Sequence, residues 1–124
     1  MTLWIGIDVA KATLAVHFHP DGQSLSLLNT PDDVARLIAL IDGRPVGNVL
    51  LEASGGYERG LMRALAHAQV PVTRINPRRA KAFAQALGRI AKTDPIDAAV
   101  LARMAEVVVQ TRTAPSAEQE TLRA

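Results

Sequence analysis

The chain has 124 residues, 48% of them hydrophobic, and a formal net charge of +2. That is one domain of ordinary size with enough apolar material for a core. Without cysteine there is neither a disulfide framework nor a thiolate zinc site, and no apolar run is long enough to span a bilayer. The N-terminus lacks a basic region followed by a long apolar stretch, so a cytoplasmic protein without a membrane partner is expected.

Leu3 to Asp8 reads as a buried strand. From Ala12 to His19, Leu14, Val16 and Phe18 alternate, the period of a half-buried strand. Pro20-Asp21-Gly22 signals a turn, and Ser24 to Asn29 reads as a third strand. Thr30-Pro31-Asp32-Asp33 then opens a helix, with Thr30 as N-cap and Pro31 in the first position. Its apolar stripe is Val34, Leu37, Ile38 and Ile41, and Gly43 ends it.

Val46 to Leu51 predicts a fourth strand, Ser54-Gly55-Gly56 a loop, and Tyr57 to Ala68 a helix. Val70 to Ile75 predicts a fifth strand, interrupted by Pro71. Asn76-Pro77 opens a helix to Leu87, stopped by Gly88. Asp94-Pro95 opens another that runs to about Val108. The segment 111–124 is polar and contains Pro115, so residues 1–110 are expected to form the domain and 111–124 a tail or linker.

The order is β-β-β-α-β-α-β-α-α, an α/β class. A meander of three strands followed by strands alternating with helices matches a ribonuclease H-like mixed five-stranded sheet with helices on its faces. In that arrangement the first and fourth strands lie side by side.

Four carboxylates then draw together. Asp8 closes the first strand, Glu52 closes the fourth, and Asp94 and Asp97 stand at the head of the last helix. A carboxylate beside a buried strand is costly without a partner. Four converging carboxylates repel one another unless divalent cations lie between them. Each acid has a plainer reading: Asp8 as a turn residue, Glu52 as a solvated loop residue, Asp94 as an N-cap, Asp97 as a favourable charge at the helix dipole. Together they suit a pair of hard cations, Mg2+ or Mn2+, of the kind that assists phosphoryl transfer.

The charge is unevenly spread. Between Arg59 and Thr93 there is no Asp or Glu, while Arg59, Arg63, Arg74, Arg78, Arg79, Lys81, Arg89 and Lys92 fall there. A block of one sign points to a polyanionic partner. Arg74, Arg78, Arg79, Lys81, Arg89 and Lys92 are expected to form a positive face beside the acids, with Lys11 near Asp8 as a further nucleic-acid contact. Ser54 is not nominated as a nucleophile, because no base is evident beside it.

Three blocks carry a family resemblance: Gly6-Ile7-Asp8-Val9-Ala10-Lys11; Leu51-Glu52-Ala53-Ser54-Gly55-Gly56-Tyr57; and Ile75-Asn76-Pro77-Arg78-Arg79 continuing through Gly88 to Ala91-Lys92-Thr93-Asp94-Pro95-Ile96-Asp97-Ala98. The chain resembles the N-terminal domain of the DEDD insertion-sequence transposases, the group that includes the pilin-inversion site-specific recombinase. The resemblance implies a RuvC-like domain and a metal-dependent DNA transposase or recombinase whose acidic tetrad maps onto Asp8, Glu52, Asp94 and Asp97. It also implies DNA as partner, an element-encoded guide RNA, and a homo-oligomer. Such transposases carry a C-terminal domain with a serine nucleophile. The chain is therefore expected to be incomplete for full strand transfer. The competing readings are a nucleotide-binding phosphotransferase of the actin and sugar-kinase type, and a non-catalytic nucleic-acid-binding or dimerisation module.

Overall fold

The computed structural model describes residues 1–88 and 96–109. In chain order the elements are β1 (Leu3–Val9), β2 (Thr13–His19), β3 (Ser24–Leu28), α1 (Pro31–Ile41), β4 (Val46–Glu52), α2 (Arg59–His67), β5 (Val72–Ile75) and α3 (Pro77–Ala86). A further helix, α4, spans residues 98–109. The five strands form one sheet in the order β3-β2-β1-β4-β5. The meander pairs antiparallel, whereas β1-β4 and β4-β5 pair parallel. This is the mixed sheet that the strand and helix order predicts.

Alternation along the strands separates two cores. Ile5, Ile7, Leu14, Val16, Phe18, Val49 and Leu51 turn to one face, where Val34, Leu37 and Ile41 of α1 and Leu61 and Leu65 of α2 cover them. Leu50 and Ile75 turn to the other and meet Ala80 and Ala84 of α3 and Leu101, Met104 and Val108 of α4. Each Val, Leu, Ile, Met or Phe among them contributes about 1.5–3 kcal/mol on burial. With so few aromatics, Phe18 is the largest fully buried side chain.

Local signals set the helix ends. Thr30 caps α1, its hydroxyl accepting from the Asp33 N–H at 3.3 Å, and Asp33 in turn accepts from the Leu28 N–H at 2.7 Å. Asn76 caps α3, accepting from the Arg79 N–H at 2.8 Å. Three element starts depart from the sequence reading by two residues or more. β5 begins at Val72, because Pro71 has no N–H to give the ladder and instead offers its carbonyl to Val49. α2 begins at Arg59, because residues 54–57 are spent on a turn closed by Glu58. α4 begins at residue 98, several residues later than the Asp94-Pro95 signal suggests. The tail 111–124 lies outside the described residues. Among those described, no helix is long and apolar enough to cross a membrane.

Candidate active site

Ile7 on β1 pairs with Leu51 on β4. One residue further along, Asp8 and Glu52 stand side by side on neighbouring parallel strands, both on the face of the second core. The carboxyl ends of parallel strands are where ligands of open α/β sheets gather. Burial raises the Asp8 carboxyl above its ordinary value, and the negative charge of Asp97 raises it further. Burial likewise raises Glu52, with Asp8 adding to the effect. Asp8 is thus the electrostatic neighbour of both Asp97 and Glu52.

Asp97 is brought there by α4. Its Oδ1 accepts from the Val100 N–H at 2.9 Å and its carbonyl from the Leu101 N–H at 3.0 Å, so Asp97 itself is the N-cap. The expectation that Asp94 caps this helix, with Asp97 inside its first turn, is corrected: residues 96 and 97 are not helical. Asp94 lies outside the described residues. The approach of α4 depends on Gly6. A β-carbon there would collide with the Ala98 carbonyl and the Ala102 nitrogen, and would lie 2.9 Å from the Leu101 carbonyl carbon. Towards the other end of α4, buried Asn48 donates to the Ala105 carbonyl at 3.3 Å and accepts from the Thr73 hydroxyl at 3.2 Å.

Among the described residues, no group of three His, Cys, Asp or Glu is drawn tightly enough to hold a metal ion. The donor chemistry nevertheless fits a hard divalent cation. Asp8, Glu52 and Asp97 are all carboxylates, and the burial and like-charge repulsion that together raise Asp8 and Glu52 are what such a cation offsets.

The structure adds an acid that sequence reasoning missed. Glu58 is 1% exposed. Its Oε1 accepts from the Ser54 N–H at 3.1 Å, the Ser54 hydroxyl at 3.0 Å and the Gly56 N–H at 3.2 Å, and its Oε2 accepts from Arg74 at 3.2 Å. Burial alone would push this carboxyl up. The hydrogen bonds from backbone, Ser54 and Arg74 overcome it and hold the group at about 2. Glu58 thereby fixes the loop that follows Glu52, a loop in which Gly55 and Gly56 both take positive φ. A carboxylate so acidic is a poor base, although Ser54 donates to it. The available signal was a glutamate at the head of a helix, four residues after a serine. Asn29 ties the same loop to the β1–β2 turn, donating to the Tyr57 carbonyl at 3.0 Å and the Ala10 carbonyl at 2.9 Å. Lys11 sits exposed in that turn.

The basic residues do not form one face. Arg74 pairs with Leu51 in register, so it lies on the first-core face, opposite to the acids, where Glu58 engages it. Arg78 and Arg79 are exposed in the first turn of α3, which springs from the same sheet end as Asp8 and Glu52. Lys81 follows, half-buried. Arg89 and Lys92 lie outside the described residues.

Beside the acids runs a groove of about 400 Å³, lined by Asp8, Ala15, His17, Ser24, Ser26 and Asp97 among others. His17 Nδ1 and Ser24 Oγ are hydrogen-bonded at 2.7 Å. Burial, then the nearby positive charge of Arg103, lowers the His17 ring below the usual imidazole range, against the opposing pull of Asp97.

Comparison with known proteins places these features. RuvC from Thermus thermophilus in complex with a Holliday junction substrate superposes with a TM-score of 0.55 at 17% identity, over 82% of this chain and 90% of that one. A second Thermus thermophilus RuvC structure gives 0.50 at 19% identity, over 73% and 72%. An inorganic polyphosphate/ATP-glucomannokinase from Arthrobacter gives 0.48 at 17% identity, over 75% and 51%, too distant to carry an argument. No curated protein matches the sequence. The family model for DEDD transposases of the IS110 type matches residues 5–124. With a ribonuclease H-like sheet and a sequence match over nearly its whole length, the chain belongs to the DEDD transposase family.

Proposed function

We propose that this domain is the metal-dependent DNA-cleaving centre of a transposase or site-specific recombinase. The observation that carries the reading is that Asp8 and Glu52 follow the paired residues Ile7 and Leu51 on adjacent parallel strands, with Asp97 brought beside Asp8 by a helix seated on Gly6. In this reading Asp8, Glu52 and Asp97, with Asp94, hold Mg2+ or Mn2+. The bound cations supply charge neutralisation for a phosphodiester under attack.

The remaining work belongs to the protein's own groups. The Glu58 carboxylate holds the Ser54–Gly56 loop, and so the end of β4, in one conformation. Arg78 and Arg79, with Lys81 and Lys11, bind backbone phosphates at the sheet end. Arg89 and Lys92 join them in the same proposal. Arg74 serves the loop through its ion pair with Glu58. DNA is the partner, as it is for the RuvC of the Holliday junction complex. The element-encoded guide RNA and the homo-oligomer implied by the family resemblance belong to the same reading.

The test is calorimetric titration of the chain with Mn2+ and Mg2+, alongside cleavage of duplex and branched DNA. Saturable binding that Asp8→Asn and Glu52→Gln each abolish, with cleavage lost in parallel, supports the proposal. Metal binding indifferent to both substitutions overturns it.

A further inference from the structure

The groove between the β2–β3 face and the head of α4 has no role in the arrangement described so far. Its floor is made of small and polar side chains: Ala15 from β2, and Ser24 and Ser26 from β3, which pair across the strands as Ala15–Ser26 and His17–Ser24. One end opens on Asp8 and Asp97. Towards the other lies His17, paired with Gly6 on β1, and Arg103 follows Ala102, whose backbone nitrogen abuts that same Gly6. Arg103 is exposed on α4.

The geometry points to a seat for the sugar–phosphate backbone of a nucleic-acid strand that continues from the acidic centre, with His17 and Arg103 contacting one phosphate. This rests on the nucleic-acid reading above and extends it to a surface outside the acids and the basic block. Three observations favour backbone over base or small molecule. The groove is lined by Asp8 and Asp97 themselves, so a strand whose phosphate lies at Asp8 meets this floor on the β2–β3 side. No Phe, Tyr or Trp lines it, so the broad stacking platform that a base favours is missing. The floor residues are small, which lets a backbone approach, and Ser26 presents a hydroxyl that can donate to a phosphate oxygen while that of Ser24 serves His17.

His17 is set for the role by Ser24. When the Ser24 hydroxyl donates to Nδ1, the neutral imidazole carries its proton on Nε2, which then donates towards the groove. Arg103 adds a fork of donors suited to phosphate. Such contacts position a strand without reading its sequence.

The experiment is fluorescence anisotropy of the chain with labelled DNA of several unrelated sequences across a salt series. Arg103→Ala should weaken binding about tenfold on every sequence and reduce the salt slope by about one. His17→Ala should weaken it several-fold, and His17→Gln, which keeps a donor near the Nε2 position, should restore most of the loss. Ser26→Trp, an exposed strand position that tolerates an aromatic, should block the groove and cut binding more than either. Arg36→Ala on α1 is the control and should change nothing. If the parent chain binds DNA and Arg103→Ala, His17→Ala and Ser26→Trp all behave like Arg36→Ala, the groove assignment is wrong while the acidic centre stands. If the parent chain binds no DNA even at low salt, both readings fall.

Discussion

The carbonyl of Ala98 occupies the space that a side chain on Gly6 would need. Gly6 lies two residues before Asp8 on β1, and Ala98 directly follows Asp97 at the head of α4. One missing β-carbon therefore sets the separation of two acids that are 89 residues apart in the chain. Gly6→Ala should destabilise the fold by about 1–3 kcal/mol or more, because the collision is with helix backbone and no rotamer relieves it. The substitution should also lift Asp97 from Asp8 and lower the raised Asp8 pKa. Denaturant unfolding and carboxylate NMR titration check the two effects. Unchanged stability would mean that α4 does not rest on β1.

Asp8 and Glu52 should weaken the fold they stand on at neutral pH. Both carboxyls are raised above their ordinary values of 3.8 and 4.5. A carboxyl raised by folding binds its proton more tightly in the folded state. Its contribution is present below the ordinary value and is withdrawn as pH climbs through that value to the raised one. Asp8→Asn is therefore expected to raise the thermal midpoint at pH 7 in chelator. Mg2+ or Mn2+ should raise the midpoint of the parent chain, through mass action on the folded state, and not that of the variant. Thermal scans with and without divalent ions decide it. A lower midpoint for Asp8→Asn in chelator is the contrary result.

Much of this was legible in the sequence. Alternation at Leu14, Val16 and Phe18, the Thr30-Pro31 and Asn76-Pro77 signals, and the carboxylates in the last two residues of β1 and β4 are local patterns, and the structure keeps them, with β1 running one residue beyond Asp8. What escaped depends on contacts distant in sequence. Asp94-Pro95 carries a helix-start signal as good as that of Asn76-Pro77, yet the first described helical residue is 98, where Gly6 makes room. Arg74 looks like part of a basic face when read as a linear charge run. Strand alternation sends it to the other side of the sheet, where Glu58 waits. Glu58 itself resembles any first-turn glutamate until the loop folds back to give it donors.

Glu58 should act on stability with the opposite pH sign. Held at about 2 against an ordinary 4.5, its carboxylate contributes stability at all pH above 4.5 that is lost as pH falls from there towards 2. Glu58→Ala leaves the Ser54 and Gly56 N–H groups without their acceptor, and a loss of about 3 kcal/mol at pH 7 is expected. The loss should shrink in acid, because below about 4.5 the unfolded parent takes up the proton that its folded form refuses and the stabilisation is progressively withdrawn. Ser54→Ala removes only one of the donors, so a cost of about 1 kcal/mol is expected. Equilibrium unfolding of the parent and both variants at pH 7 and pH 3 measures these differences. A deficit for Glu58→Ala that is equal at both pH values would rule out the charge as its source.

Arg78 and Arg79 should separate from Arg74 in a binding experiment. Both are exposed in the first turn of α3, at the sheet end that holds Asp8 and Glu52, while Arg74 is committed to a buried carboxylate. Each phosphate contact releases counterions, steepening the fall of log affinity with log salt by about 0.9 on duplex DNA. Arg78→Ala with Arg79→Ala is expected to weaken DNA binding at low salt and flatten that dependence by about two contacts' worth. The pair is solvent-exposed, so unfolding should hardly change. Arg74→Ala should do the reverse. It strips Glu58 of its cation and lowers stability, while under conditions where the variant stays folded the salt dependence keeps its slope. Anisotropy across a salt series, paired with denaturant unfolding, reads both quantities on the same proteins. A flattened slope for Arg74→Ala at full folding would show that its guanidinium reaches DNA despite the ion pair, and would return it to the phosphate-binding surface.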